Sequence, residues 1–246
     1  MAKIEAHYVD HMGNDDSVVN AARISMDKQA HHYTDSQNAH LIKFLATGQS
    51  SKDRKRNIEY MASGEMSYEE AEALVDEYMH MAKHWTPFAH TAITLRVSAP
   101  VPIRTQCFKH KQGLVENEES RRYITCRPEV FIPNYFRNKA ESIKQGSVGV
   151  HPESDHWLGI YEAETNRAVN IYEAMIACGV APEQARLILP QGCIVNWIWT
   201  GNVFAFAAFC SKRKDPTAQK EVSDLADIVS NIIEPLFPVS WSALSR

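Results

Sequence analysis

Residues 93 to 103, ITLRVSAPVPI, alternate apolar and polar side chains and are then interrupted by Pro100 and Pro102. Period-two alternation marks a strand with one face in a core, and proline, lacking an N–H, cannot continue a ladder. The chain therefore holds a half-buried strand broken at its prolines, directly before RTQCFKHKQGLVENEESRRY, Arg104 to Tyr123. There Arg104, Lys109, His110, Lys111, Arg121 and Arg122 are interleaved with Glu116, Asn117, Glu118 and Glu119. Arginine forks grip phosphate or carboxylate through paired hydrogen bonds, while Glu and Asn read ring edges and ribose hydroxyls. Such a run suits a ligand with both a phosphate and a heterocycle. The plainer alternative is a solvated loop of mixed charge.

Helical patterns surround this strand. After an opening strand, IEAHYVD, Asp15 or Asp16 can cap a helix reaching about Met26, and residues 38–47 read as a short amphipathic helix. Gly48 to Gly64 is polar and reads as an exposed excursion. Ser67 then opens a helix, SYEEAEALVDEYMHMAK, with Glu70 at the capping-box position, and Pro87 closes it. Residues 104–111 are compatible with a helix, and Asn134 to Asp155 reads as a surface loop. Trp157 to Cys178 is a long amphipathic helix ended by Gly179, followed by a short helix from Pro182 to Pro190. Two more helices are expected over Asn202 to Lys212 and Ala218 to Phe237. The segment NWIWTGNVFAFAAFC reads as helical and is too apolar to lie bare. Strands with several long helices predict one α+β domain over 1–246, with an inserted helical excursion at about 48–83.

A net charge of −4 argues against binding to nucleic acid polymer, and any phosphate is bound locally. No apolar run reaches about 18 residues and MAKIEAHYVD lacks a signal-peptide core, which predicts a soluble chain off the membrane, in the cytoplasm or, for a viral chain, the host cytoplasm. Five cysteines, with no CxxC pair, argue against a disulfide framework or a metal site.

Several blocks resemble those of the flavin-dependent thymidylate synthases. The family signature runs Arg-His-Arg, two variable residues, Ser, one variable, Asn-Glu, one variable, Ser, one variable, Arg-Tyr. Lys109-His110-Lys111 stands at its front and Asn117-Glu118, Ser120, Arg122 and Tyr123 at its back, with one extra residue between Lys111 and Asn117. Residues 9–27, HWTPFAH (84–90), EQARLILP (183–190), TGN (200–202), Arg213 and AQKEV (218–222) resemble further family blocks in the family's order. The resemblance implies an α+β fold with a mixed sheet packed by several long helices, and a homotetramer with shared active sites. It implies transfer of a one-carbon unit from 5,10-methylenetetrahydrofolate to C5 of dUMP, forming dTMP, with FAD reduced by NADPH. A pyrimidine hydroxymethylase using flavin and folate, or a nucleotide-binding homologue without catalysis, stay open as alternatives.

The resemblance assigns roles residue by residue. Arg213 is the expected catalytic residue, lying against the pyrimidine to favour its anionic form; otherwise it caps a helix C-terminus. Gln106, Lys109, Glu118, Ser120, Arg121, Arg122 and Arg186 join it on the nucleotide side. Arg121 either touches phosphate or faces solvent. His84, Thr86, Lys109, His110, Lys111, Glu118 and Asn202 map to the flavin side. Departures gather there: lysines replace both signature arginines, Phe204 stands for a frequent Arg, Ala208 for Asn and Thr217 for His. A lysine keeps the charge but loses the planar fork, so FAD is expected to bind more weakly or in a changed pose. Cys107 sits on an apolar segment and is not read as a nucleophile.

Overall fold

A computed structural model describes residues 3–79, 84–140 and 146–245. The strands are β1 (Glu5–Met12), β2 (Ala92–Pro100), β3 (Leu114–Glu118), β4 (Arg137–Lys139), β5 (Ser147–Val150) and β6 (Ile194–Gly201). The α-helices are α1 (Asp15–Arg23), α2 (Asp35–Thr47), α3 (Ser51–Ser63), α4 (Tyr68–Met79), α5 (Val101–Cys107), α6 (Ser154–Ala177), α7 (Pro182–Ala185), α8 (Val203–Arg213), α9 (Lys220–Ile233) and α10 (Pro238–Leu244). Short 3-10 turns include Thr86–His90 and Arg186–Ile188.

The α+β architecture expected from the sequence is present. Its main sheet was expected to be mixed but is antiparallel at every pairing, in the order β1-β2-β6-β3, and β4 and β5 form a separate antiparallel hairpin. Alternation on β2 puts Ile93, Leu95, Val97 and Ala99 fully inside, and the register sets Leu95 opposite Trp199 and Val97 opposite Trp197 on β6. Against this face pack Phe206 and Phe209 of α8 and Val222, Leu225, Val229 and Ile233 of α9. Trp199 meets both phenylalanines edge to face, at 5.1 and 4.8 Å between ring centroids. Each such side chain contributes about 1.5–3 kcal/mol by leaving water.

Several boundaries differ from the sequence reading for local reasons. β2 ends at Pro100, and α5 begins at Val101 with Pro102 in its first turn, where a missing N–H is harmless. The strand thus becomes a helix three residues before Arg104. Asn14, not Asp15 or Asp16, caps α1, accepting from Ser17 N at 3.1 Å, and the α-helix stops at Arg23. Asp15 instead accepts from Val239 N (2.8 Å) and Ser240 N (2.9 Å), capping α10. The sequence reading lacks α10, since its last helix ran to Phe237. α9 in fact ends at Ile233.

Gly48 to Gly64 is not a bare polar excursion: it contains α3, capped by Ser50 and closed by Gly64 in the left-handed region. The Ser67–Glu70 capping box is formed, with Glu70 N on Ser67 Oγ (3.2 Å) and Ser67 N on Glu70 Oε2 (2.9 Å). The end of that expected helix, at 80–83, lies outside the described residues. The expected loop 134–155 holds the β4–β5 hairpin. NWIWTG is strand β6 rather than helix. Its outward Ile198 interrupts a face otherwise marked by Asn196 and Thr200, and hides the alternation.

Candidate functional site

The turn after α5 runs back along α8 and brings together residues from three elements. Gly113 allows this course: its φ is +72°, and a Cβ there would stand 2.7 Å from Asn202 Nδ2 and 3.0 Å from Ala205 Cβ. Asn202 N donates to Gly113 O (3.3 Å), fixing the turn at the start of α8, where Asn202 Oδ1 caps the helix through Ala205 N (2.8 Å). At the other end of α8, Arg213 meets the same turn. Its Nε donates to His110 Nε2 (3.0 Å), its Nη1 to Gln106 Oε1 (3.2 Å) and its Nη2 to the Gln106 carbonyl (3.2 Å). Three of the expected site residues are thus in direct contact.

Because His110 Nε2 accepts, its proton sits on Nδ1. Burial, then the positive charges of Arg213 and Lys212, push the imidazole down to about 4. At neutral pH it is an uncharged acceptor, and its ring stands edge-on to Phe209 at 5.1 Å. A permanent cation held by neutral groups in a half-buried place keeps its field for a ligand.

A second group forms where α5 faces β3. Arg104 Nε lies 3.1 Å from Glu118 Oε2. Burial raises the Glu118 pKa, Arg104 and Arg186 pull against it, and Glu119 adds to it, leaving the carboxyl above its ordinary range. Past β3 the chain turns on Ser120, whose carbonyl accepts from Tyr123 N (2.9 Å) and whose Oγ accepts from Arg122 N (3.3 Å). Arg122 pairs with Glu183 on α7 (3.3 Å), drawing the signature toward the turn that carries the exposed Arg186. Arg121 is half-buried, and its Nη1 donates to the Cys126 carbonyl. Among the described residues no hydrogen bond or ion pair joins this group to Arg213 and Gln106.

Of the residues expected on the flavin side, His84, Thr86 and Asn202 lie toward the start of α8, whereas His110 meets its far end and Glu118 stands on β3. Trp85 and Phe204 face each other at 6.0 Å, and the Thr91 hydroxyl accepts from Val203 N (3.0 Å), so the Thr86–His90 turn packs against this helix end. His84 stacks on Phe44 of α2 at 5.4 Å, and its N–H bonds Leu45 O (3.0 Å). Thr86 and Lys109 are exposed, and Lys111 pairs with Glu116. Two ammonium groups, an amide, a helix start and two exposed rings suit a group with phosphates and an aromatic system, so this donor set fits a flavin nucleotide. Between Lys111 and Asn117, where the signature gains one residue, a turn at Gln112 and Gly113 leads into β3. Leu114 is buried there, and a Cβ on Gly201 would stand 2.4 Å from its Cδ2.

Two participants escaped the sequence reading. Arg104 was seen only as part of a basic run, and the strand-to-helix switch at Pro100 is what aims it at Glu118. Gln219 accepts no helix-cap bond; its Oε1 accepts instead from Gln106 Nε2 at 2.6 Å. Cys107 is fully buried and its thiol is pushed up to about 12 by burial, so it is protonated at neutral pH. Among the described residues, no three His, Cys, Asp or Glu side chains gather as a metal site, and no helix is long and apolar enough to cross a membrane.

The family described as thymidylate synthase complementing protein matches residues 7–239. A flavin-dependent thymidylate synthase of Thermosipho africanus is 27% identical over 240 residues, covering 97% of this chain and 89% of the relative. One from Thermus thermophilus is 27% identical over 238 residues, covering 97% and 74%. The UMP/dUMP methylase PolB from Streptomyces cacaoi, solved with 5-Br dUMP, superposes with a TM-score of 0.78 at 22% identity over 99% of this chain and 95% of that one, a likeness of fold.

Proposed function

The chain belongs to the flavin-dependent thymidylate synthase family, and from that premise we propose that it transfers a one-carbon unit from 5,10-methylenetetrahydrofolate to C5 of dUMP, forming dTMP, with FAD reduced by NADPH. Bound and reduced, the flavin supplies the hydride that side chains lack. The observation that carries this reading is Arg213, clamped by Gln106 and a neutral His110. Alkylating C5 of uracil needs electron density pushed into the ring, and a guanidinium that never titrates stabilises the anionic pyrimidine.

Arg122, Arg186 and the Ser120 hydroxyl hold the dUMP phosphate, and Lys109 adds charge between nucleotide and flavin. Glu118, steered by Arg104, accepts from the nucleotide or flavin. Lys111, His84, Thr86 and Asn202 hold the flavin, with the signature lysines as point charges in place of forks. Ser120 is not a nucleophile in this scheme; its oxygen already serves its own turn. The chain works as one domain over 1–246 with 48–83 inserted. The active unit is a homotetramer: Trp157, Ile160 and Ile171 of α6 stand exposed for a partner copy. Exposed free thiols at Cys126 and Cys178 suit the reducing cytoplasm.

The test is incubation with dUMP, methylenetetrahydrofolate, FAD and NADPH, with the product nucleotide weighed by mass spectrometry. A gain of one methyl group is expected. A hydroxymethyl product, or no nucleotide uptake by the flavin-loaded protein, refutes the proposal. Titration with FAD is expected to show affinity weaker than nanomolar.

A further inference from the structure

Gln106 does not end the contacts of Arg213. Its Nε2 donates to Gln219 Oε1 (2.6 Å), Gln219 Nε2 donates to Glu221 Oε2 (3.0 Å), and the same oxygen accepts from Arg137 Nη2 (2.8 Å). Arg137 Nε in turn donates to Ser147 Oγ across the β4–β5 hairpin (2.6 Å). The row therefore runs from the end of α8, through α5 and the start of α9, to a hairpin on another part of the fold.

Its direction is forced from both ends. A guanidinium only donates, and an ionised carboxylate only accepts. Each glutamine carries one acceptor and one donor group, so Gln106 must turn its oxygen to Arg213 and its nitrogen to Gln219. Gln219 must then turn its nitrogen to Glu221. Reversing either amide sets N–H against N–H or oxygen against oxygen. Burial raises the Glu221 pKa, but hydrogen bonds from its own backbone, Arg137 and Gln219 outweigh this and hold it below the ordinary carboxylate range. The anionic end is therefore firm at neutral pH.

The local sequence shows that this use is specific. Gln219 occupies the N-cap position of α9, yet its side chain makes no cap bond. Ser, Asp or Asn there would stabilise the helix. The glutamine is instead long enough to span from Glu221 to Gln106, and a cap rule broken locally marks a residue placed for another reason.

We infer that Gln219, Glu221 and Arg137 are positioning residues for Arg213, acting through a one-way row of carboxamides that fixes which atom Gln106 offers the guanidinium. The inference rests on the proposed role of Arg213 in dTMP synthesis. Its effect is on the aim of a charge rather than on contact with substrate, so it belongs in turnover more than in nucleotide affinity.

The test is steady-state dTMP formation by the full-length protein at saturating FAD, NADPH and methylenetetrahydrofolate. Gln219→Met keeps the chain length and removes both amide functions at an exposed position. It is expected to lower kcat about tenfold while KM for dUMP stays within about twofold. Glu221→Gln, which frees Gln219 to turn, is expected to cost a similar factor, and the double variant no more than the larger single loss. A Gln219→Met kcat within about twofold of the unsubstituted enzyme, a change confined to KM, or losses that multiply in the double variant would overturn the inference. Arg213→Met, measured alongside, separates the two ideas: full activity there overturns the reading of the site itself.

Discussion

At the scale of single residues, the pair Arg213 and His110 was legible only in part. The sequence pointed to both through the family blocks, but placed one on the nucleotide side and the other on the flavin side. The structure puts them 3.0 Å apart, because the turn through Gly113 runs alongside α8. Proximity of this kind follows from backbone course, which side-chain type does not encode. It has a consequence in acid. The free imidazole titrates near 6.5, and in the fold His110 is driven down to about 4 by burial and two cations. Between those values the unfolded chain takes up a proton that the folded chain refuses, so stability falls as pH drops from about 6.5 toward 4 and is level above. Solvent at this half-buried ring moderates the size. The fall in melting temperature between pH 7 and pH 5 should be smaller in His110→Asn than in the unsubstituted protein (conditions chosen to bracket the titration). Equal falls would show that the ring is not held neutral.

At the scale of elements, strongly periodic or well-capped segments could be read directly. The alternation of β2 and the Ser67–Glu70 box are local signals, and both are present. β6 and β3 were not legible for opposite reasons. β6 carries Ile198 on its exposed face between Trp197 and Trp199, so three apolar residues in a row blur its alternation. β3, LVENE, is too polar to announce itself and exists because Gly201 leaves room for Leu114. Asp15 shows the limit of a local rule: it sits where a first-helix cap belongs, but its carboxylate serves α10 across 224 positions. Asp15→Ala should cost about 1–3 kcal/mol, since two backbone N–H groups and the Ser240 hydroxyl lose an ionised acceptor. Urea unfolding measures this. A loss no larger than a few tenths of a kcal/mol would mean that water replaces the carboxylate.

For the whole molecule, the described ends of the inserted segment meet. Leu45 O and His84 N are bonded at 3.0 Å, so the chain returns to where it left. Replacing residues 51–82 by a short Gly-Ser linker should leave the melting temperature within a few degrees and dTMP formation intact, because a shorter loop closes at lower entropic cost. Thermal denaturation and the turnover assay check it; loss of cooperative melting would make the excursion part of the core. The link from Asp15 to α10 acts in the reverse sense. Trp241 of that helix is buried and its indole N–H donates to Ser230 Oγ (3.1 Å), so α10 is a wall of the core, fastened at Val239 to a residue 224 positions earlier. A ribosome must therefore release the chain through α10 before the interior can shut, and until then the apolar faces of β2 and β6 stay open to chaperones and to neighbouring nascent chains.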